Sequence, residues 1–433
     1  MPYLLNVIYA ALLAALSPWL LWTAIRKGKY REGYAAKFLG LVPRRTGNRP
    51  CVWLHAVSAG EVNLLRPLVE RLRQDFPHCN CVMSTTTRTG FEIATKKFPE
   101  LKVFYCPLDF SWAVRTALHR MRPDVLVLAE LELWPNLICE SHRRGTCVAV
   151  VNGRLSERSA RGYGRIRRFV GPLLGCVDLI AVQTEEYATR FIGLGADPEV
   201  VRVTGSMKFD GAQTDRSNEL TNRLRQLAGI GDADVVFLAG STQGPEEELA
   251  IETFRALKDE FGNLRLVLVP RHPERFAEVA ELLERSDMAW QRRSELEHSR
   301  NGHARILLVD SMGELSAWWG CAQIGYVGGS MGKRGGQSMI EPAAYGVAVS
   351  FGPQTHNFRD VVRMMLAREA AVVVQDGSEL TSFVKGCLCD PDHLRVLGDR
   401  ARKLVSEQLG ATAETAALLS RLLPDVKIER RAA

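Results

Sequence analysis

No C-x-x-C pair occurs in the 433 residues, although there are ten cysteines. That excludes the usual zinc-ribbon and thiol-redox spacings. The two C-x-C pairs, Cys79/Cys81 and Cys387/Cys389, have no second half to complete a metal site, so the cysteines read as reduced thiols of a cytoplasmic protein. The glycine-rich stretches lack the P-loop spacing. There is no low-complexity segment and no repeat between the halves. Broad positive charge is also missing. The formal charge is +7, and residues 26–49 hold eight basic residues against one acid, which is the whole excess. The remainder is formally neutral, which argues against a nucleic-acid binder.

Residues 3–25 carry no charge at all, and 23 such residues suffice to span a hydrocarbon core of about 30 Å as a helix. No basic segment precedes this run and the basic cluster follows it, the reverse of a secretory signal. The pattern predicts an N-terminal membrane anchor over 1–25, with everything after it on the cytoplasmic side. The alternative is a helix lying flat in the leaflet, interrupted near Pro18.

A chain this long exceeds the roughly 250–300 residues at which one core stops growing. Short apolar runs (Cys51–Leu54, Cys81–Ser84, Val103–Tyr105, Val125–Leu128, Val148–Val151, Leu179–Val182) alternate with helical patterns such as Leu64–Phe76 and Ala113–Met121. This predicts an α/β domain over 26–210 with a parallel sheet covered on both faces. Residues 211–234 are polar and turn-rich around one helical pattern, Glu219–Leu227, and read as a linker. A second series over 235–425 (Val235–Ala239, Leu266–Val269, Ile306–Val309, Ile324–Val327, Val347–Phe351, Ala371–Val374) predicts a second Rossmann-like domain, followed by a charged tail, 426–433. Two such domains facing one another would make a cleft between strand ends.

Candidate chemistry gathers at those strand ends, where open α/β sheets bind ligands. The run Trp53-Leu54-His55-Ala56-Val57-Ser58-Ala59-Gly60-Glu61 delivers Glu61 at the start of a helix. The helix N-terminus should favour its ionised form, the form a general base needs. An ordinary dipole-complementing first-turn Glu fits the same pattern. Asp124–Leu128 runs into Glu130 and Glu132, one of them facing the cleft and the other a capping or ion-pairing residue. Asn152-Gly-Arg-Leu-Ser156 and Thr204-Gly-Ser-Met-Lys208-Phe-Asp210 are further strand-end loops.

The second half has the look of an anion site. Arg271 follows a buried strand directly, where a guanidinium can pair with phosphate or carboxylate. Asp310-Ser-Met312-Gly313-Glu314 offers small residues after another strand. Gly328-Gly-Ser330 through Gly335-Gly-Gln-Ser338-Met339-Ile340-Glu341 suits close backbone approach to a phosphate. Two D-x-D triplets, Asp232/Asp234 and Asp390/Asp392, read as turn and cap acids, and no metal site is expected. His55, His272 and His356 read as structural imidazoles.

Seven motifs in colinear order resemble the 3-deoxy-D-manno-octulosonic acid (Kdo) transferases. They are His55-Ala-Val-Ser-Ala-Gly-Glu61, Glu130-Leu-Glu-Leu-Trp-Pro-Asn136, Asn152 to Ser156, Thr204 to Asp210, Val269-Pro-Arg-His-Pro-Glu-Arg275, Asp310 to Leu315, and Gly328 to Ser330. The resemblance implies a glycosyltransferase B fold and metal-independent, inverting transfer without a cofactor. The donor would be CMP-Kdo and the acceptor the lipid A precursor (lipid IVA) at the inner-membrane lipid surface, in lipopolysaccharide core biosynthesis. By the same resemblance Glu61 is the general base, and Glu130 and Lys208 stabilise the transition state. Pro270, Arg271, Met312, Gly313, Glu314, Ser338, Met339, Ile340 and Glu341 would hold CMP. The chain departs from the pattern at Gly336-Gln337-Ser338, where many members carry Gly-His-Asn, and at Gln243-Gly244-Pro245. Two other readings stand beside this one. One is another nucleotide-sugar transferase or epimerase of the same fold. The other is an inactive anchored module that binds a sugar nucleotide or lipid.

Overall fold

The structure, a computed structural model, describes residues 2–27, 32–297 and 304–424. Part of the basic neck, including Lys29 and Arg31, and the charged tail 426–433 lie outside the described residues. The chain forms two compact units. The first takes in the chain up to Asp210 together with the segment from Leu409 onward, and the second runs from Gly211 to Gln408.

The first unit is built on seven strands: β1 (Cys51–Ala56), β2 (Asn80–Thr85), β3 (Lys102–Tyr105), β4 (Val125–Ala129), β5 (Cys147–Gly153), β6 (Leu179–Val182) and β7 (Val201–Val203). Their order is β3-β2-β1-β4-β5-β6-β7, all parallel. Every residue of β1 and β4 is buried. Alternate side chains leave a strand on opposite faces, and β1 feeds two cores accordingly. Cys51 and Trp53 join one cluster, while Val52, Leu54 and Ala56 join the other. Continuous apolar runs are what a sheet covered on both faces demands.

The second unit repeats the plan with β8 (Val235–Thr242), β9 (Leu264–Pro270), β10 (Trp290–Arg292), β11 (Ile306–Leu308), β12 (Ile324–Val327), β13 (Ala348–Phe351) and β14 (Ala371–Val373). The order is β10-β11-β9-β8-β12-β13-β14, again parallel. Strand β10 carries no apolar run and is only half-buried at the sheet edge, so hydrophobic patterning does not reveal it.

Two expectations need correction. Residues from Leu409 were expected in the second domain, but the helix Ala411–Ser420 sends Ala411, Ala416 and Leu419 into a core of the first unit. Asp210 ties it down by accepting from the backbone N–H groups of Gly410 and Thr412. The linker segment likewise belongs to the second unit, where the helix Glu219–Leu227 buries Thr221 and Leu224.

The second correction concerns the anchor and the inner-membrane localisation built on it. Among the described residues no helix is long and apolar enough to cross a membrane. The helix Pro2–Lys27 contains Pro18 and uses its polar residues to dock on the first unit. Asn6 is buried, donating to Ser111 Oγ at 2.7 Å and accepting from the Ser111 N–H at 2.9 Å. Tyr9 donates to Asp109 at 3.1 Å and sets its ring edge-on to Phe110. A segment with paired, buried polar groups is committed to protein contacts that a lipid-facing span would leave unsatisfied.

Candidate active site

In the first unit β1 ends at Ala56, and Ser58 caps the helix Ala59–Leu64. Ser58 Oγ accepts from the Glu61 N–H and donates to Glu61 Oε1 at 2.9 Å, a reciprocal capping arrangement. Glu61 Oε2 accepts from the Val57 N–H at 2.8 Å. Burial nevertheless pushes the Glu61 carboxyl above its usual range, against those hydrogen bonds, and the charge of Glu130 adds to the rise. The capping hydrogen bonds favour the ionised form, as expected of a helix N-terminus, while desolvation opposes it and is the larger effect. A raised carboxylate is also the stronger base.

Glu130 follows β4 directly, in the left-handed region at φ 58°. A side chain rarely adopts that conformation without compensation. Here the Glu130 N–H donates to Val151 O at 2.9 Å, and the carboxylate meets Lys208 Nζ at 3.3 Å and Arg154 at 3.9 Å. Lys208 sits in the turn after Thr204, and Asn152 holds that turn by accepting from the Met207 N–H at 3.0 Å. Asn152 is itself left-handed at φ 52° and fully buried. Two strand-end loops thus bring Glu130 and Lys208 together.

Glu132 is the residue that sequence reasoning undervalued. Its carboxyl is pushed up to about 7 by burial first and then by the charge of Glu61, with Glu130 adding to the rise. Trp134 Nε1 donates to it at 3.0 Å. Three carboxylates therefore gather at neighbouring strand ends, the charge of Glu130 raising Glu61 and the charges of Glu61 and Glu130 raising Glu132. The only sequence signal was a second acid two residues after Glu130, in the turn that follows β4. His55 is fully buried, hydrogen-bonded through Nδ1 with Ser84 Oγ (2.9 Å), packed edge-on to Trp134, and held down to about 4 by burial. The Ser84 hydroxyl also accepts from Trp53 Nε1.

In the second unit the glycine loop after β12 differs from its expected use. Its N–H groups are filled from within. The buried Glu246 carboxylate accepts from the N–H groups of Gln243 (2.9 Å), Gly329 (2.7 Å), Ser330 (2.9 Å) and Met331 (3.0 Å), and from the Tyr326 hydroxyl (2.9 Å). A Cβ at Gly328 would lie 2.6 Å from Ser241 O and 2.8 Å from Glu246 Oε2, so only glycine fits beside the carboxylate. The first part of the loop is thus a scaffold held by a protein anion, which takes the N–H groups of Gly329, Ser330 and Met331. Sequence reasoning missed Glu246 because Glu246-Glu247-Glu248 reads as a routine acidic first turn.

The other expected donor contacts are spread around this scaffold. Pro270 ends β9, and Arg271 is exposed immediately after it. Arg271 draws the Glu341 carboxyl down while burial, the larger effect, raises it. Met312 is exposed and Gly313 adopts φ 89°. Burial alone would raise the Glu314 carboxyl, but hydrogen bonds from Ser311 and Arg293 outweigh it and hold it low. Arg293 grips Glu314 with two nitrogens at 3.0 and 2.9 Å. Ser338 is half-buried, and Met339 and Ile340 are buried where the helix Ile340–Ala344 begins, so the latter two offer a ligand their backbone only. The D-x-D acids serve turns: Asp234 accepts from the Gly231 N–H and pairs with Arg265, and Asp390 accepts from the His393 N–H. All ten cysteines are free thiols.

Two parallel-sheet α/β units with polar strand ends define a chain similar to glycosyltransferases of the B type. A solved UDP-GlcNAc 2-epimerase from Neisseria meningitidis shares this fold, with a TM-score of 0.57 at 13% identity over 86% of this chain and 100% of the other. The family model for 3-deoxy-D-manno-octulosonic-acid transferase (kdotransferase) matches residues 32–211. The 3-deoxy-D-manno-octulosonic acid transferase of Haemophilus influenzae is 33% identical over 90% of this chain and 91% of its own length. That of Bordetella pertussis is 31% identical over 94% and 97%. The chain belongs to the 3-deoxy-D-manno-octulosonic acid transferase family, and is a glycosyltransferase that transfers Kdo.

Proposed function

We propose that the chain moves Kdo from CMP-Kdo to a hydroxyl of the lipid A precursor, an acylated and phosphorylated disaccharide, in lipopolysaccharide biosynthesis. The observation that carries this reading is the cluster Glu61, Glu130 and Glu132 with Lys208 at one edge of the first sheet. Glu61, raised by burial yet hydrogen-bonded by Ser58 and Val57, is the general base that takes the acceptor proton. Attack on the anomeric carbon from the face opposite CMP inverts that centre. Glu130 positions Lys208 and keeps positive charge beside the reacting sugar carboxylate. Arg271 and the backbone around Met312–Glu314 and Ser338–Glu341 hold CMP and stabilise the departing phosphate by fixed charge and N–H dipoles. On this reading no metal ion is needed.

The test is mass spectrometry of the product from purified protein, CMP-Kdo and lipid IVA. Acceptor heavier by one or more Kdo residues is expected. Untouched acceptor, with UDP rather than CMP raising the melting temperature, would overturn the reading in favour of a UDP-sugar enzyme.

A further inference from the structure

A cavity of about 490 Å³ lies in the first unit between the helix Pro2–Lys27 and the loop after β4, within the range of about 300–1,000 Å³ that small-molecule sites occupy. Its wall is apolar. Leu12, Leu13 and Leu16 line it from the helix, and Leu133 and Trp134 from the loop. Leu12 and Leu16 are 54% and 52% exposed, one turn apart on the same helix face, and so form an open lip. Among the described residues no Lys, Arg or His lines the cavity, which disfavours a phosphate there. Its two acids differ in kind. Asp109 is consumed by the N–H groups of Asn136 and Leu137 and by the Tyr9 hydroxyl. Glu132 receives Trp134 and belongs to the carboxylate cluster with Glu61 and Glu130. Glu132 therefore both lines the cavity and belongs to the edge at which the acceptor hydroxyl would be deprotonated.

We propose that this cavity takes one acyl chain of the glycolipid acceptor, entering over Leu12 and Leu16 and running along Leu133 and Trp134 so that the attached sugar arrives at the Glu61–Glu132 edge. The proposal rests on the acceptor reading above. A saturated chain matches a wall whose surface is mostly leucine and aromatic ring and so offers mainly dispersion contacts. It also gives the helix Pro2–Lys27 a use as one wall of a binding site.

The test uses the full chain, CMP-Kdo, and one phosphorylated disaccharide acceptor carrying no acyl chain or a single chain of increasing length, each below its micelle threshold. KM should fall about fourfold per added methylene until the cavity is full, with kcat unchanged. A double variant, Leu12→Arg with Leu16→Arg, changes only exposed positions. It should lose that chain-length dependence while keeping its melting temperature, its KM for CMP-Kdo and its KM for the unacylated sugar. A KM independent of chain length in the unaltered protein overturns the cavity assignment, and this arm needs no variant to fold. So does an unchanged slope in the double variant, or an equal loss on acylated and unacylated acceptors. Absence of transfer to every acceptor overturns instead the Kdo reading on which the cavity depends.

Discussion

Ser58 and Glu61 hold each other: one hydroxyl accepts the Glu61 N–H and donates to its carboxylate at 2.9 Å. The same bond starts a helix and favours the ionised form of a carboxyl that burial pushes up. Ser58→Ala should therefore act twice. Loss of the cap should cost about 1 kcal/mol of stability. Loss of the hydrogen bond should raise the Glu61 pKa further, moving the acid limb of the kcat/KM profile to higher pH. A pH–rate series with a thermal melt checks both. An unmoved acid limb would separate Ser58 from the base.

Glu132 gives a stability test with a defined sign. Burial and the charge of Glu61 raise its carboxyl from the ordinary 4.5 to about 7 in the folded chain. The folded state then binds the proton more tightly than the unfolded one, so the stabilising contribution is complete below about 4.5 and is lost as pH rises through about 7. Glu132→Gln should leave the melting temperature nearly unchanged at pH 5 and raise it by a few degrees at pH 8. A difference of the same size at both pH values would contradict the shift.

Lys208 pairs with Glu130 at 3.3 Å, and Glu130 pays no evident role to helix or turn formation beyond its left-handed corner. Lys208→Met should lower kcat by about a hundredfold or more, because a fixed charge beside the reacting centre is lost. The fold should survive, since the lysine side chain is about one-third exposed. Steady-state kinetics with circular dichroism as a folding control decides it, and unchanged kcat would remove Lys208 from the site.

Glu246 should prove more important to the donor loop than any glycine. Glu246→Gln replaces one accepting oxygen with an NH₂ that faces N–H groups. Destabilisation of about 2–4 kcal/mol is expected, together with at least tenfold weaker CMP binding. Calorimetric melts with and without CMP measure both, and wild-type CMP affinity would show that the loop does not shape the donor site.

The sheets were legible because their strands are buried on both faces and read as unbroken apolar runs, as at Val125–Leu128 and Val148–Val151. Strand β10 and the return of Ala411–Ser420 were not, since a half-buried edge strand and an alanine-rich helix carry no periodic signal of where they pack. The uncharged N-terminal run suggested a span because composition is blind to pairing: nothing in the sequence says that Asn6 and Tyr9 will find Ser111 and Asp109. At the site, Glu61 and Glu130 stood out by following strand ends, while Lys208 was marked only by the family resemblance of the motif Thr204 to Asp210. Glu132 and Glu246 did not, because their importance lies in burial and in partners more than 70 residues away, as with Glu246 and the loop at Gly329.

The central claim is that Glu61 takes the acceptor proton, and Glu61→Gln tests it most directly. The variant keeps the shape of the turn, so CMP binding and folding should be retained while the rate of Kdo transfer falls by at least about a hundredfold. Near-normal turnover in a folded, CMP-binding Glu61→Gln protein would contradict the account.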